Sequence, residues 1–175
     1  MFAFIRAINT GGRRLTNSAL LAPFHAAGFD AVGAYQAAGN VAFRADRDPE
    51  LVESELVALL TEAYGFDAPT FVRSAVDLKA CLAALPFSAE ALARTQGRSQ
   101  VTFLASAPAA AAVATVRSLV PDEDLVEFSG REWFWLPRAG VSESKLPVTQ
   151  IERIVGPMTM RTVGTIERML AKFSS

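Results

Sequence analysis

The spacing of apolar and polar positions changes along the chain between strand-like and helix-like periods, and these changes predict its elements. Residues 2–8 form an apolar run without a polar face, which is typical of a central strand. Apolar side chains recur at helical spacing after Thr16 or Asn17, and again after Asp48 and Pro49, a pair suited to a helix start. With strand-like runs at 31–37, 40–45 and 69–73, the first half has the order strand-helix-strand-strand-helix-strand, and a further helix follows at 77–85.

The second half repeats this order of elements. The pattern predicts strands at 100–104, 125–129, 132–136 and 158–161, and helices at 109–119, 145–156 and 163–173. The order is that of a ferredoxin-like unit. We therefore predict an α+β fold with two ferredoxin-like halves in tandem, each an antiparallel sheet with helices packed on it. The predicted domains are residues 1–87 and 99–175, joined by residues 88–98.

The composition is that of a globular protein, with 51% hydrophobic and 20% charged residues in a chain of 175. No apolar run approaches the roughly 20 residues that a membrane helix needs, so no membrane partner is expected. A single cysteine, Cys81, excludes an internal disulfide, and a single histidine, His25, excludes a zinc site of the usual Cys/His type. Both facts suit a reducing compartment and predict a cytoplasmic location.

Charge is distributed unevenly, although the formal net charge is only −1. Residues 1–47 contain five arginines and two aspartates, and residues 145–175 contain five lysines and arginines and two glutamates. If the two ends meet in space, one region of the surface is basic. The alternative is that each excess consists of solvated surface charges. The near-zero net charge argues against non-specific coating of nucleic acid.

A glycine loop, Arg6-Ala-Ile-Asn-Thr-Gly-Gly-Arg-Arg14, lies between the first strand and the first helix. Paired glycines permit a sharp turn with outward N–H groups, and flanking arginines can hold a phosphate or carboxylate. We therefore list Arg6, Asn9, Gly11 and Gly12 as candidate anion-binding residues; the alternative is a structural turn with solvated arginines. The spacing matches neither a phosphate-binding P-loop nor a dinucleotide fingerprint, so no cofactor is predicted.

The pair Gly39 and Asn40 is predicted to form a turn in which the glycine takes a positive φ. A structural role is the favoured interpretation of this pair. In a ferredoxin-like half the first and third strands are antiparallel neighbours, so this turn and the glycine loop are expected to converge. Lys145 and Arg161, from the basic C-terminal region, complete the predicted ligand-binding set.

Together these segments resemble the bacterial domain-of-unknown-function family 1697. Family members typically carry Arg-Gly-Ile-Asn-Val-Gly-Gly and Tyr-Ile-Gln-Ser-Gly-Asn-Val-Val-Phe, matched here by Arg6-Ala-Ile-Asn-Thr-Gly-Gly12 and Tyr35-Gln-Ala-Ala-Gly-Asn-Val-Ala-Phe43. The resemblance implies an α+β fold with two ferredoxin-like halves and implies no activity. The family's Thr-Arg-Asn-Trp-Asn-Thr segment is Met160-Arg-Thr-Val-Gly-Thr165 here, so a site built on those asparagines would be altered.

The function that these observations favour is a binding module for a small anionic or nucleotide-like ligand. Nucleic-acid binding through the basic region is one alternative. An enzyme of unknown reaction in the same cleft is another, although no nucleophile–base pair is visible. Asp122, Glu123 and Asp124 are adjacent carboxylates without further ligands at calcium-loop spacing, so no metal site is predicted. The sequence does not predict an oligomeric state.

Overall fold

The computed structural model describes residues 1–6, 8, 15–36, 38–95 and 98–174, with backbone only at residues 31 and 32. In these residues there are eight strands: β1 Phe2–Ile5, β2 Asp30–Ala34, β3 Asn40–Arg44, β4 Thr70–Arg73, β5 Gln100–Leu104, β6 Leu125–Ser129, β7 Glu132–Leu136 and β8 Met158–Thr162. There are seven helices: α1 Asn17–Ala26, α2 Pro49–Tyr64, α3 Ala75–Ala83, α4 Ala89–Arg94, α5 Ala110–Arg117, α6 Val148–Val155 and α7 Val163–Phe173. The strands form two four-stranded antiparallel sheets, which confirms the predicted α+β class.

The chain divides into two compact units. Unit 1 comprises Met1–Lys79 and Arg168–Ser175, and unit 2 comprises Ala80–Glu167. Helix α4 lies within the segment predicted to join two domains. Ser88 is its N-cap, and the Ser88 hydroxyl accepts from Ala91 N at 3.1 Å. The domain boundaries given by the sequence stay a prediction.

The sheet of unit 1 has the order β2-β3-β1-β4, so β1 and β3 are its central strands. Strand β1 ends at Ile5, three residues earlier than its apolar run predicts. Its last register pairs are Phe4 with Asn40 and Ile5 with Thr70, the first residues of β3 and β4. Beyond these pairs, the described backbone adds the bonds from Ile5 N to Gly39 O and from Arg6 N to Pro69 O, to the residues that directly precede β3 and β4.

Local signals fix the ends of the two helices beside this sheet. The Thr16 hydroxyl accepts from Ala19 N at 3.2 Å, and an Asp48 carboxylate oxygen accepts from Glu50 N at 2.8 Å. Helix α2 ends at Gly65, which has a φ of 69°. The helices pack on one face of the sheet, and a core forms between them from residues of helices, strands and loops. Its buried apolar residues are Ala3, Ile5, Ile8, Leu20, Phe24, Phe29, Val41, Phe43, Val52, Leu56, Leu60, Ala68 and Val72.

A buried ion pair closes the β4 edge of this sheet. The Glu53 carboxylate accepts from Val72 N at 2.7 Å and from Arg73 Nη1 at 3.2 Å. The side chains of Arg73 and Glu53 are only 3% and 10% exposed. An edge strand otherwise offers unpaired N–H groups to other chains, and this carboxylate occupies one of them.

The sheet of unit 2 has the order β6-β7-β5-β8, which repeats the order of unit 1. The repetition extends to single residues. Arg73 lies opposite Phe2 on β4, and Arg161 lies opposite Val101 on β8. Each arginine donates from Nη1 to the carbonyl of the residue before it, at 2.8 Å in both cases. The structure thus reveals an equivalence between the halves that the sequence does not show.

The core of unit 2 contains both tryptophans of the chain. Trp133 and Trp135 are 0% and 1% exposed, and they lie on the same face of β7 with Leu104, Val116 and Ile151 nearby. The indole N–H of Trp133 and the hydroxyl of Thr102 have no hydrogen-bond partner, and these two residues are opposite each other in the β5–β7 register. Unpaired polar groups in a core lower stability.

Replacing Thr102 with valine is therefore expected to raise the free energy of unfolding by about 1 kcal/mol, because it removes a buried, unpaired hydroxyl and nearly preserves the shape. Urea unfolding followed by tryptophan fluorescence measures the change in unit 2. Thr159→Val is the matched control, since that hydroxyl, also buried, accepts from Arg161 Nη1 at 2.8 Å. The control should be destabilised; an equal loss in both variants would contradict the prediction.

Candidate functional site

The predicted glycine loop is only partly within the described residues. Asn9, Gly11 and Gly12 lie outside them. Arg6 directly follows β1 and is half-buried, and its backbone N–H donates to Pro69 O at 2.8 Å. This bond ties the start of the loop to the chain that enters β4. Whether the loop binds an anion stays a prediction.

Gly39 lies in the turn that precedes β3, beside the end of β1, and Asn40 is the first residue of that strand. Gly39 has a φ of 71°, which confirms the predicted positive φ. A Cβ at this position would collide with the Ile5 carbonyl oxygen and lie 3.0 Å from Ile8 Cγ1. The buried Asn40 side chain donates to Tyr35 O at 3.2 Å and thereby closes the loop between β2 and β3. The described contacts of both residues support a structural role.

Lys145 and Arg161 belong to unit 2, whereas Arg6, Gly39 and Asn40 belong to unit 1. Lys145 is exposed in the segment before α6. Arg161 is half-buried on β8, and desolvation lowers the pKa of its guanidinium to about 10. Its Nη1 donates to the Thr159 hydroxyl and to Met160 O, both at 2.8 Å. The assembly of all these residues into one site stays a prediction.

A cleft of about 350 Å³ in unit 1 offers a better described candidate. We call it the basic cleft. It lies where the start of β1 and the end of β3 meet α3 and the end of α7. Its lining residues are Met1, Phe2, Ala42, Phe43, Arg44, Ala75, Lys79, Lys172, Phe173 and Ser174. The volume is in the range typical of small-molecule sites.

Three exposed cations from separate elements surround the basic cleft: Arg44 on β3, Lys79 on α3 and Lys172 on α7. Among the residues that the structure describes, no aspartate or glutamate lines it. The carboxylate opposite Arg44 in the β2–β3 register is that of Asp30, which is not a lining residue. Arg44 and Lys172 come from the two basic segments of the sequence, and both belong to unit 1.

One side of the basic cleft is aromatic. The half-buried Phe173 ring lies against Gly33, where an added Cβ would be 3.2 Å from a ring carbon. The Lys172 ammonium is 5.0 Å from the centre of the Phe173 ring and 5.9 Å from that of Tyr35. The Tyr35 hydroxyl accepts from Arg168 Nε at 3.0 Å. Helix α7 is thus attached to Tyr35, directly after β2, by one hydrogen bond from Arg168 and one cation–π contact from Lys172.

Only part of this cleft could be inferred from the sequence. The charge excess of the two chain ends indicates Arg44 and Lys172 as members of a basic region, but not as neighbours of one cavity. Lys79 comes from the acidic middle of the chain, and no motif surrounds it. Only the packing of α3 on unit 1 brings Lys79 to the other two cations.

The acidic turn has a structural role that the sequence did not reveal. Asp124 is buried, and its carboxylate accepts from Trp135 Nε1 at 2.9 Å, Arg138 N at 3.0 Å and Ser144 Oγ at 2.6 Å. Asp122 is exposed. Among the described residues, no group of three or more His, Cys, Asp or Glu side chains could hold a metal ion.

The family model described as "Protein of unknown function (DUF1697)" matches residues 1–134. The chain belongs to this family. A solved structure, that of a conserved bacterial protein from Streptococcus pneumoniae, is similar with a TM-score of 0.74 and 20% sequence identity. The match covers 99% of this chain and 97% of that chain, and it shows a shared fold. No curated protein matches the chain.

Membership in DUF1697 leaves the biochemical function open, because the family is itself described as one of unknown function. Arg44 and Lys79 of the basic cleft fall within the matched residues, whereas Lys172 and Phe173 lie beyond them. In the part of the chain that the structure describes, no helix combines the length and apolarity needed to span a membrane.

Proposed function

We propose that this DUF1697 protein is a binding module for a small anionic ligand, and that the basic cleft is its site. The observation that carries the proposal is the convergence of Arg44, Lys79 and Lys172 on a cavity whose described lining includes no aspartate or glutamate. Like charges that share a concave surface repel one another, and an anion bound among them relieves that repulsion. Lysine and arginine also donate charge-assisted hydrogen bonds to phosphate and carboxylate oxygens.

The residues that line the basic cleft are better suited to binding an anion than to catalysing a reaction. No His, Cys, Asp or Glu is among the described residues that line the basic cleft. Histidine and carboxylate side chains are the usual general bases at neutral pH, so the described lining offers no such base to activate Ser174 or a lysine. The three cations can hold and orient an anion without any of them.

The chain has only three lysines, which permits a sharp test by chemical labelling. Lys79 and Lys172 line the cleft, and Lys145 is an exposed lysine of unit 2. The protein is acetylated with a limiting reagent, with and without inorganic phosphate or pyrophosphate, and each lysine is quantified by mass spectrometry. We expect phosphate or pyrophosphate to slow the labelling of Lys79 and Lys172 and to leave the labelling of Lys145 unchanged.

Substitutions provide the second half of the test. Lys79→Ala is expected to weaken pyrophosphate binding about tenfold, the loss of one exposed charge-assisted contact, as measured by calorimetry at low salt. Lys145→Ala is the matched control and should bind as the parent does. If Arg6→Ala and Lys145→Ala abolish binding while Lys79→Ala does not, the site is the predicted glycine-loop set instead. Absence of binding to the parent protein would refute the proposed function.

A further inference from the structure

We infer that the ligand of the basic cleft combines an anionic group with a flat apolar ring. This inference rests on the proposed function and specifies the chemistry of the same site. A simple inorganic anion would use only the cations of the lining. The lining also has a large apolar part, made of Phe2, Ala42, Phe43, Ala75 and Phe173.

Within that apolar part, Phe173 is the aromatic side chain that remains accessible. Phe2 and Phe43 are each 2% exposed, whereas Phe173 is half-buried. A half-buried ring at the wall of a cavity can take up a second ring by offset or edge-on stacking. The structure therefore offers one stacking surface in the basic cleft.

The position of the Phe173 ring is restricted by its neighbours. Gly33 leaves room for the ring, because an added Cβ would come within 3.2 Å of it. The ammonium of Lys172 lies 5.0 Å from the ring centre. A cation beside the aromatic surface means that the anionic group and the ring of one ligand can be bound at adjacent points.

The size of the cavity agrees with such a ligand. A volume of about 350 Å³ is far larger than one inorganic phosphate, and it is near the lower end of the range seen for organic ligands. Nucleoside monophosphates and aromatic phosphates share the required chemistry, a phosphate dianion attached to a ring-bearing group. The experiment separates these two sources.

The test compares ligands that carry one phosphate group with different substituents. Methyl phosphate, phenyl phosphate and AMP are titrated calorimetrically into the full chain at the same pH and ionic strength. We expect phenyl phosphate, AMP or both to bind at least about tenfold more tightly than methyl phosphate, because only these two stack on Phe173. Tighter binding of AMP than of phenyl phosphate identifies the nucleotide as the source, and the reverse identifies an aromatic phosphate.

The Phe173→Leu variant connects the preference to the ring. It should lose most of the preference for the ring-bearing ligands over methyl phosphate, measured as the ratio of the dissociation constants. A circular dichroism spectrum like that of the parent shows that the variant is folded. If methyl phosphate binds the parent as tightly as both ring-bearing ligands, or if Phe173→Leu keeps the preference, the inference is wrong while the proposed anion site stands. If none of the three ligands binds, both proposals fail together.

Discussion

Replacing Gly39 with alanine is expected to lower the free energy of unfolding by about 3 kcal/mol or more, the sum of two effects. The first is the positive φ of 71°, which is unfavourable for any residue with a Cβ. The second is a collision between that Cβ and the Ile5 carbonyl oxygen, a backbone atom that cannot rotate away. Moving the backbone would also disturb the bond from Ile5 N to Gly39 O, now 2.7 Å long.

Gly65→Ala separates these two effects. Gly65 has nearly the same φ, 69°, but nothing lies within 4 Å of the position where its Cβ would be. Its substitution should cost only about 1 kcal/mol, the price of the left-handed conformation alone. Urea unfolding followed by circular dichroism measures both variants. Equal losses at the two positions would show that the collision with Ile5 contributes nothing.

Replacing Asp124 with alanine is expected to destabilise unit 2 by about 3 kcal/mol or more, because hydrogen bonds to a charged group are worth roughly 1.5–3 kcal/mol each. Without the carboxylate, the indole N–H of Trp135, the backbone N–H of Arg138 and the hydroxyl of Ser144 all lose their acceptor. Because Trp135 is 1% exposed, water cannot readily replace the carboxylate at its indole nitrogen.

The measurement for Asp124→Ala is urea unfolding followed by tryptophan fluorescence. Both tryptophans of the chain are in β7, so the signal reports on unit 2. Asp122→Ala is the matched control, since Asp122 is an exposed carboxylate of the same turn. It should change stability by no more than about 0.5 kcal/mol, as is usual for surface positions. Similar effects of the two substitutions would mean that general charge, and not the three hydrogen bonds, explains the loss.

Features that depend on neighbours in the chain were predictable. The helix starts at Thr16 and Asp48 and the positive φ of Gly39 follow from side-chain and backbone properties within a few residues. The order of elements predicted the α+β class and the antiparallel sheets, because apolar spacing differs between strands and helices. The same local information overestimated β1, since the length of a strand also depends on where its partners begin.

Features that join distant parts of the chain were not predictable from these patterns. Glu53 accepts a hydrogen bond from Arg73, 20 residues later in the sequence, and Asp124 accepts hydrogen bonds from donors up to 20 residues away. In the sequence the acidic turn is visible only as three adjacent carboxylates, but Asp124 is buried and accepts hydrogen bonds from residues of the unit 2 core region. Neither set of hydrogen bonds produces a periodic pattern in the sequence, because the packing of the elements decides which side chains become neighbours.

The sequence by itself determined most elements of this DUF1697 protein, though not the end of β1 or helix α4, as well as the repeated order of its halves and the basic character of its two ends. Each of these is set by composition or by spacing over a few residues. The tertiary structure decided that Arg44 and Lys172 share a cleft with Lys79, and that the Phe173 ring stands beside them. Side chains far apart in sequence become neighbours only when helices and strands pack, and that packing depends on the whole unit.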